Sequence, residues 1–516
     1  MPVPKLLDAG AHRYPDNPCL VASSYQATYR QVQAMTHQVA NALKAAGAAP
    51  GEHACVLSRN DPLAFIAMVG AMRAGLPYVV LNIRDTVEDL VEGVIDRDVK
   101  WLFFHTEFSA AAEALKRRAP GVKRMICLDA QTPACPSLEA FCGDFPGHGG
   151  DVPAAPEDVL VLASSGGTTG KPKGVMLTHR AMNAMIAAGL MLFRHKATPV
   201  HLAVAPITHA AAGIVYPLLP MGGKHILLPR ADPGEILQTI EREKVTTIFL
   251  PPTLIYMLLA HPDIDKYDYS SMEYMTYAAS PMAPVKLQEA LTVFGPVMLQ
   301  AYGQAEAPLM LTAMTPEEHV QAVANGALER LASCGRPTPS AELAIMDDDG
   351  RLLGDDERGE IVVRGDIVMS GYYGDADATA AAGKFGWHHT GDVGYRDADG
   401  FYYIVDRKRD MIISGGFNVY PSEVENALMT HPDVQDCAVI GAPDDKWGEA
   451  VVAVVERKPG AEAGPDELIG FCKERLGGMK APKRVEVWDT LPRSAVGKVL
   501  KREIRSRFWQ GQERSI

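Results

Sequence analysis

The sequence predicts a large α/β domain followed by a small, separate α+β domain. Three observations carry this. The chain has 516 residues, more than one hydrophobic core supports, so two or three domains are expected. Strand-like apolar runs alternate with helix-like periods, as where "PGEILQTIEREKV" is followed by "TTIFLPP"; that alternation builds layered α/β structure. The pattern then breaks at "VDRKRDMIISGG", residues 405–416, and restarts.

Taken in order, the N-terminal "MPVPKLLDAGAHRYPDNP" has no apolar core, so no secretory leader is expected. "HGGDVPAAPED" (148–158) reads as a surface loop, followed by the strands "VLVLAS" and "GVMLTH". "AAAGIVYPLLPMGG" (210–223) is too short, and too broken by Pro217 and Pro220, to span a membrane. "DDD" at 347–349 precedes Gly350 and predicts a hairpin turn. Past the break come a helix at "PSEVENALMTHP", strands at "CAVIGAP" and "AVVAVVERK", and a helix at "PDELIGFCKERL". Ser422, Glu423 and Glu425 fall at the start of the first of these helices, where acidic side chains favour the dipole.

Composition narrows the function. With 47% hydrophobic and 22% charged residues the chain is an ordinary folded protein. A net charge of -13 argues against nucleic acid, whose backbone needs clustered cations. Eight cysteines without paired spacing suit buried thiols in a reducing cytoplasm rather than disulfides or zinc.

The most informative stretch is "SSGGTTGKPKG", residues 164–174. Glycines let the backbone present N–H groups to phosphate, Thr168 and Thr169 add hydroxyls, and Lys173 adds a cation. It is not a P-loop: Ser165 stands where the first glycine is needed, and Pro172 stands where a hydroxyl would hold magnesium. The loop also leaves one strand for another strand, not for a helix.

The loop closely resembles the phosphate loop of the adenylate-forming superfamily of acyl-CoA synthetases, adenylation domains and beetle luciferases. The matching positions are Ser165, Gly166, Gly167, Thr168, Thr169, Gly170, Lys171, Pro172, Lys173 and Gly174, with Gly166 replacing a hydroxyl. The likeness continues in order along nearly the whole chain. "YGQAE" (302–306) resembles Tyr-Gly-x-Thr-Glu, with Ala305 replacing the threonine. "YAASPMAP" (277–284) resembles the adenine-pocket turn, "HTGD" (389–392) the ribose motif, and "PRSAVGK" (492–498) the terminal lysine motif.

The resemblance implies a fold of layered sheets flanked by helices, plus a small barrel-like part. It implies an adenylation domain over 1–408 and a mobile C-terminal domain over 409–516, hinged near Arg409. It also implies site residues. Ser165, Gly166, Gly167, Thr168, Thr169, Gly170 and Lys173 would hold the phosphates of ATP. Ala279, Ser280, Tyr302 and Gly303 would form the adenine site, and Asp392 and Arg407 would bind ribose. Thr168 and Glu306 would hold Mg2+, and Lys498 would be the catalytic lysine. His209 would gate the acyl group. Ser414, Gly415 and Gly416 would admit the pantetheine arm of coenzyme A.

The implied reaction is attack of a carboxylate on ATP to give an acyl-adenylate and pyrophosphate, followed by CoA attack releasing AMP. "APITHAAAG" (205–213) lacks the acid that would pair with an amino-acid substrate, and its small residues point to a roomy pocket for a medium- or long-chain, aromatic or alicyclic acid. Two alternatives stand beside this: transfer to a carrier-protein thiol, and a catalytically inactive nucleotide-binding relative. A homodimer is the family habit. His388 has no second ligand spaced to help it and reads as structural.

Overall fold

The computed structural model describes residues 3–23, 25–132, 134–165, 172–209, 211–444, 446–493 and 499–509. Two compact units result: Met1–Leu343 with Val363–His388, and Ala344–Val362 with His389–Ile516.

Among its described residues the first unit holds two large sheets. In the nine-stranded sheet, Val200–Ala203, Thr247–Leu250, Tyr274–Tyr277 and Met298–Gln304 run side by side and parallel. In the seven-stranded sheet, Val159–Ser164 pairs in parallel with Tyr78–Val79 on one side. On the other it forms an antiparallel hairpin with Gly174–Thr178. The short strand Gly371–Tyr372 closes that edge.

Helix Pro62–Arg73 shows why the layers hold. Asp61 caps it, Pro62 suits its first turn, and every residue but Leu63 is buried. A helix apolar on all sides belongs between layers, and this one packs against strands of both sheets. The helix Pro233–Glu243 and strand Thr247–Leu250 fall where the sequence predicts them. The stretch after residue 210 becomes a helix, Ala212–Leu218, that contains Pro217 and is followed by a 3-10 turn. No helix among the described residues is long and apolar enough to cross a membrane. All eight cysteines are free and buried.

The second unit contains a five-stranded sheet built on the hairpin Val434–Asp444 and Gly448–Arg457. The period-2 rule sorts its side chains. Val439, Val451, Ala453 and Val455 pack with Val424, Leu428 and Leu468 from the helices. Ala438, Ile440, Val452 and Val454 pack with Leu491 and Ile504 on the opposite face. Each fully buried aliphatic side chain contributes roughly 1.5–3 kcal/mol. A four-stranded sheet (Glu342–Met346, Gly359–Arg364, His388–Arg396, Tyr402–Arg407) supplies the hairpin at Asp347 and the strands around Asp392.

The second unit begins well before residue 409. Asp406 in the strand Tyr402–Arg407 accepts from the backbone N–H of Ser422 at 2.8 Å, and Arg358 pairs with Glu423 at 2.9 Å. These contacts tie residues 344–362 and 389–408 to the helix Pro421–Met429. That helix starts where the sequence predicts, with Glu423 in its first turn. The acceptor at its N-terminus is Asp406, sixteen positions upstream, while Glu425 turns inward to pair with Lys501 at 2.7 Å.

Candidate active site

In the first unit the predicted residues gather at the carboxyl ends of parallel strands. His209 follows Val200–Ala203, Ala279 and Ser280 follow Tyr274–Tyr277, and Tyr302 and Gly303 lie near the end of the strand Met298–Gln304, with Glu306 in the turn after it. Three strand spacings separate the first of these strands from the last, about 14 Å. Ligands of open α/β sheets bind at this end.

The two ends of the Gly-rich loop are tied together. Ser165 N–H donates to the Lys173 carbonyl, and Lys173 N–H to Ser165 Oγ, both at 2.9 Å. Buried Arg97 clamps the neck from below, donating to Ser164 Oγ at 3.2 Å and to the Pro172 carbonyl at 3.0 Å. Gly166, Gly167, Thr168, Thr169 and Gly170 lie outside the described residues, as does Lys498.

Lys173 Nζ pairs with Asp375 Oδ2 at 3.0 Å and lies 5.1 Å from the centre of the Tyr372 ring. Asp375 caps the helix Ala376–Ala382; the Ala378 N–H and then Lys173 hold its carboxyl below the usual range. Tyr372 Oη donates to Glu306 Oε1 at 2.9 Å. Glu306 is buried, and among the described residues Tyr372 is the one donor to its carboxylate. A single desolvated carboxylate beside a phosphate loop fits Mg2+, which takes one or two carboxylates and completes its shell with phosphate and water. Nothing in the sequence marks Tyr372, Asp375 or Arg97; "GYYGDADAT" signals only a capped helix start.

The residues expected to meet adenine show local constraint. Ala279 is exposed and adopts φ +75°, a left-handed conformation rare for a residue with a side chain. Gly303 admits nothing larger, since a Cβ there would lie 2.5 Å from the Leu309 nitrogen. Tyr302 is buried. His388 Nε2 meets the Gln304 side-chain amide at 2.9 Å, which gives it a structural partner.

His209 Nδ1 lies 3.0 Å from Thr208 Oγ1, and burial, aided by the Arg84 charge, lowers its pKa to about 4. It is therefore neutral at pH 7. The small residues after it mostly serve packing. Ala211 and Ala212 are buried, and a Cβ on Gly213 would meet Leu309 at 3.0 Å and Met185 at 3.2 Å. Their size fits the helix against its neighbours and is not by itself a sign of a roomy pocket.

One further cluster of ligand-type side chains occurs among the described residues: Asp8, His37 and Asp151. It is a structural knot. The fully buried Arg73 side chain bridges both carboxylates, at 2.8 Å to Asp151, and Lys5 adds a second cation.

In the second unit, Asp392 and Arg407 face each other in register on adjacent strands. Arg407 Nε meets the buried Asp392 carboxylate at 2.7 Å. Thr390 Oγ1 accepts from the Asp392 N–H at 3.1 Å and donates to the Ile361 carbonyl at 2.6 Å. Glu360 supports the same strand. Burial raises its pKa, but His389, the Gly391 N–H and Lys408 outweigh this and hold it low. Arg409 lies in the 3-10 turn Lys408–Asp410, where burial lowers its pKa.

Ser414, Gly415 and Gly416 form a tight hairpin between Ile412–Ser414 and Phe417–Val419. Both glycines have positive φ, +58° and +81°, as a two-residue type I′ turn requires. A Cβ on Gly415 would lie 2.7 Å from the Trp447 ring; one on Gly416 would meet nothing within 4 Å. The turn alone thus explains both glycines, and only Gly416 has open space above it.

Comparison with known proteins agrees with this geometry. The AMP-binding enzyme model matches residues 7–373, and the AMP-binding enzyme C-terminal domain model matches residues 423–498. A medium/long-chain-fatty-acid–CoA ligase of Mycobacterium tuberculosis is 37% identical over 527 aligned positions, covering 99% of this chain and 91% of that one. A feruloyl-CoA synthase of an Amycolatopsis species is 37% identical over 489 positions, covering 93% and 94%. The solved structure of the amide bond synthetase McbA from Marinactinospora thermotolerans superposes with a TM-score of 0.90 at 31% identity, covering 98% of this chain and 100% of that one. The chain belongs to the AMP-binding family of adenylate-forming enzymes.

Proposed function

We propose that the protein is an ATP-dependent carboxylic acid–CoA ligase for a medium- or long-chain, aromatic or alicyclic acid. The observation that carries this is the Lys173–Tyr372–Glu306 cluster at the mouth of the phosphate loop, in a chain 37% identical to relatives named as fatty-acid and feruloyl CoA ligases.

A carboxylate must displace pyrophosphate from ATP, so the chemistry needs positioning and charge neutralisation more than a nucleophilic side chain. Ser165, Thr168, Thr169, the loop glycines and Lys173 bind the phosphates. Lys173 exchanges the Asp375 carboxylate for phosphate oxygens as ATP enters. Glu306 and Thr168 would hold Mg2+, which when bound neutralises charge on the phosphates. Tyr302, Gly303, Ala279 and Ser280 shape the adenine site. Asp392, oriented by Arg407, accepts from the ribose hydroxyls. Neutral His209 closes the acyl side. Lys498 stabilises the charge that develops as pyrophosphate leaves. For the second step the segment after Arg409 turns, releasing the Asp406–Ser422 and Arg358–Glu423 contacts, and the Ser414–Gly416 hairpin borders the path of the pantetheine thiol. Eight free thiols fit a reducing cytoplasm.

The test is AMP and pyrophosphate release with ATP and Mg2+ over short, medium, long, aromatic and alicyclic acids, with and without CoA. AMP turnover that requires one acid class and CoA is expected. Pyrophosphate release that CoA does not accelerate, with turnover restored by an amine or a carrier-protein thiol, would overturn the choice of acceptor.

A further inference from the structure

The segment Met369–Thr379 does more than end a sheet edge. It is fastened at two points of the candidate site. Met369 N–H donates to the Glu306 carbonyl, and Tyr373 N–H to the Gly174 carbonyl, both at 2.8 Å. Between these ties, Tyr372 pairs with Val175 on the strand that leaves the phosphate loop. Its backbone N–H is held by Thr379 Oγ1 at 2.8 Å, and the Thr379 hydroxyl donates to the Asp375 carbonyl at 2.8 Å. The Tyr372 side chain is therefore rigid from both ends. Its hydroxyl reaches Glu306 Oε1 at 2.9 Å, and its ring lies under the Lys173 ammonium at 5.1 Å.

Glutamate has three rotatable side-chain bonds and, when buried, pays heavily for an unsatisfied carboxylate. A rigid phenol donating to one oxygen fixes the rotamer and leaves the orientation of the other oxygen set. The same ring limits where the Lys173 ammonium can rest. Tyr372 thus meets both groups, Glu306 through its hydroxyl and Lys173 through its ring.

We propose that Tyr372 is a positioning residue for the adenylation step, setting the Glu306 carboxylate to receive the divalent cation of metal–ATP and aligning Lys173 toward the phosphates. This rests on the ligase reading above and adds to it a residue that touches neither substrate nor metal.

Tyr372→Phe keeps the ring and removes only the hydroxyl. Mn2+ in place of Mg2+ gives a binding readout independent of turnover: the free Mn2+ signal in electron paramagnetic resonance during titration of Mn2+·ATP with protein. The variant should bind Mn2+·ATP about 10-fold or more weakly, the size expected of a hydrogen bond to a charged group. Its affinity for metal-free AMP and its Tm should match those of the wild type. In a Glu306→Gln background the same change should have no further effect. Equal Mn2+·ATP affinity, a parallel loss of AMP affinity, or full additivity with Glu306→Gln would each overturn the proposal. Wild-type protein that binds no Mn2+·ATP would instead overturn the ligase reading itself.

Discussion

Each unit carries an ion pair at positions expected to meet nucleotide, and the two are built oppositely. In the first unit, Lys173 and Asp375 are both well exposed, with side-chain exposures of 45% and 38%. In the second, Asp392 is 2% exposed, while Arg407 keeps 41%. An exposed pair is worth about 0–1 kcal/mol and breaks easily. A buried carboxylate has lost its water and depends on its partner. Lys173 is thus free to change partners, whereas Asp392 is fixed when the chain folds.

Asp392→Asn tests the fixed side. It keeps the shape and removes the charge, and kcat/KM for ATP should fall roughly 100-fold, the loss expected of charge-assisted bonds to two hydroxyls. Steady-state kinetics would show it; an unchanged value would break the ribose assignment. Lys173→Met tests the exchangeable side. KM for ATP should rise about 10-fold while stability in urea changes by less than about 0.5 kcal/mol. Arg407→Met should do the reverse in urea, costing about 1–3 kcal/mol because the buried carboxylate loses a charged partner. If both changes cost the same, the contrast between the pairs fails.

Acid gives a smaller, graded test of the first unit. Burial holds His225 at about 3 and His319 and His209 at about 4, and lowers His201, whose Nδ1 lies 3.2 Å from His225 Nδ1. These histidines fold neutral. The unfolded chain takes up protons as pH drops through about 6.5, and the folded chain does not until near pH 4 or 3. Their stability contribution is therefore complete above about pH 6.5 and lost progressively below it. Urea midpoints at pH 7, 6, 5 and 4 should fall in that order; a flat series would contradict the neutral burial. The smallest effect concerns Ala279. Ala279→Gly relieves the positive φ and should raise stability by roughly 0.5–1 kcal/mol, seen as a higher Tm.

Much of the fold was legible because it follows local rules. Apolar runs placed the two strands that flank residues 165–173 and the strands near 440 and 452. Asp392 and Arg407 were legible only through the family pattern; their register is a property of two strands joined by a turn. Asp406 at the N-terminus of the helix Pro421–Met429 was not legible, since the local Ser422–Glu425 cluster offered a nearer answer. Arg97, Tyr372 and Asp375 were hidden for a related reason. Each meets its partner across 66 to 202 positions of chain, and no periodicity encodes such a contact. The glycines at 415 and 416 teach the converse. A feature read as serving a ligand is also demanded by the turn itself.

The proposed reaction has two steps divided between different parts of the chain. Single-turnover kinetics of Lys498→Ala on both half-reactions test it most directly. Adenylate formation should fall at least about 100-fold, as when one transition-state donor is lost. Thioester formation from supplied acyl-adenylate and CoA should stay near the wild-type rate. Equal loss in both half-reactions would contradict the account.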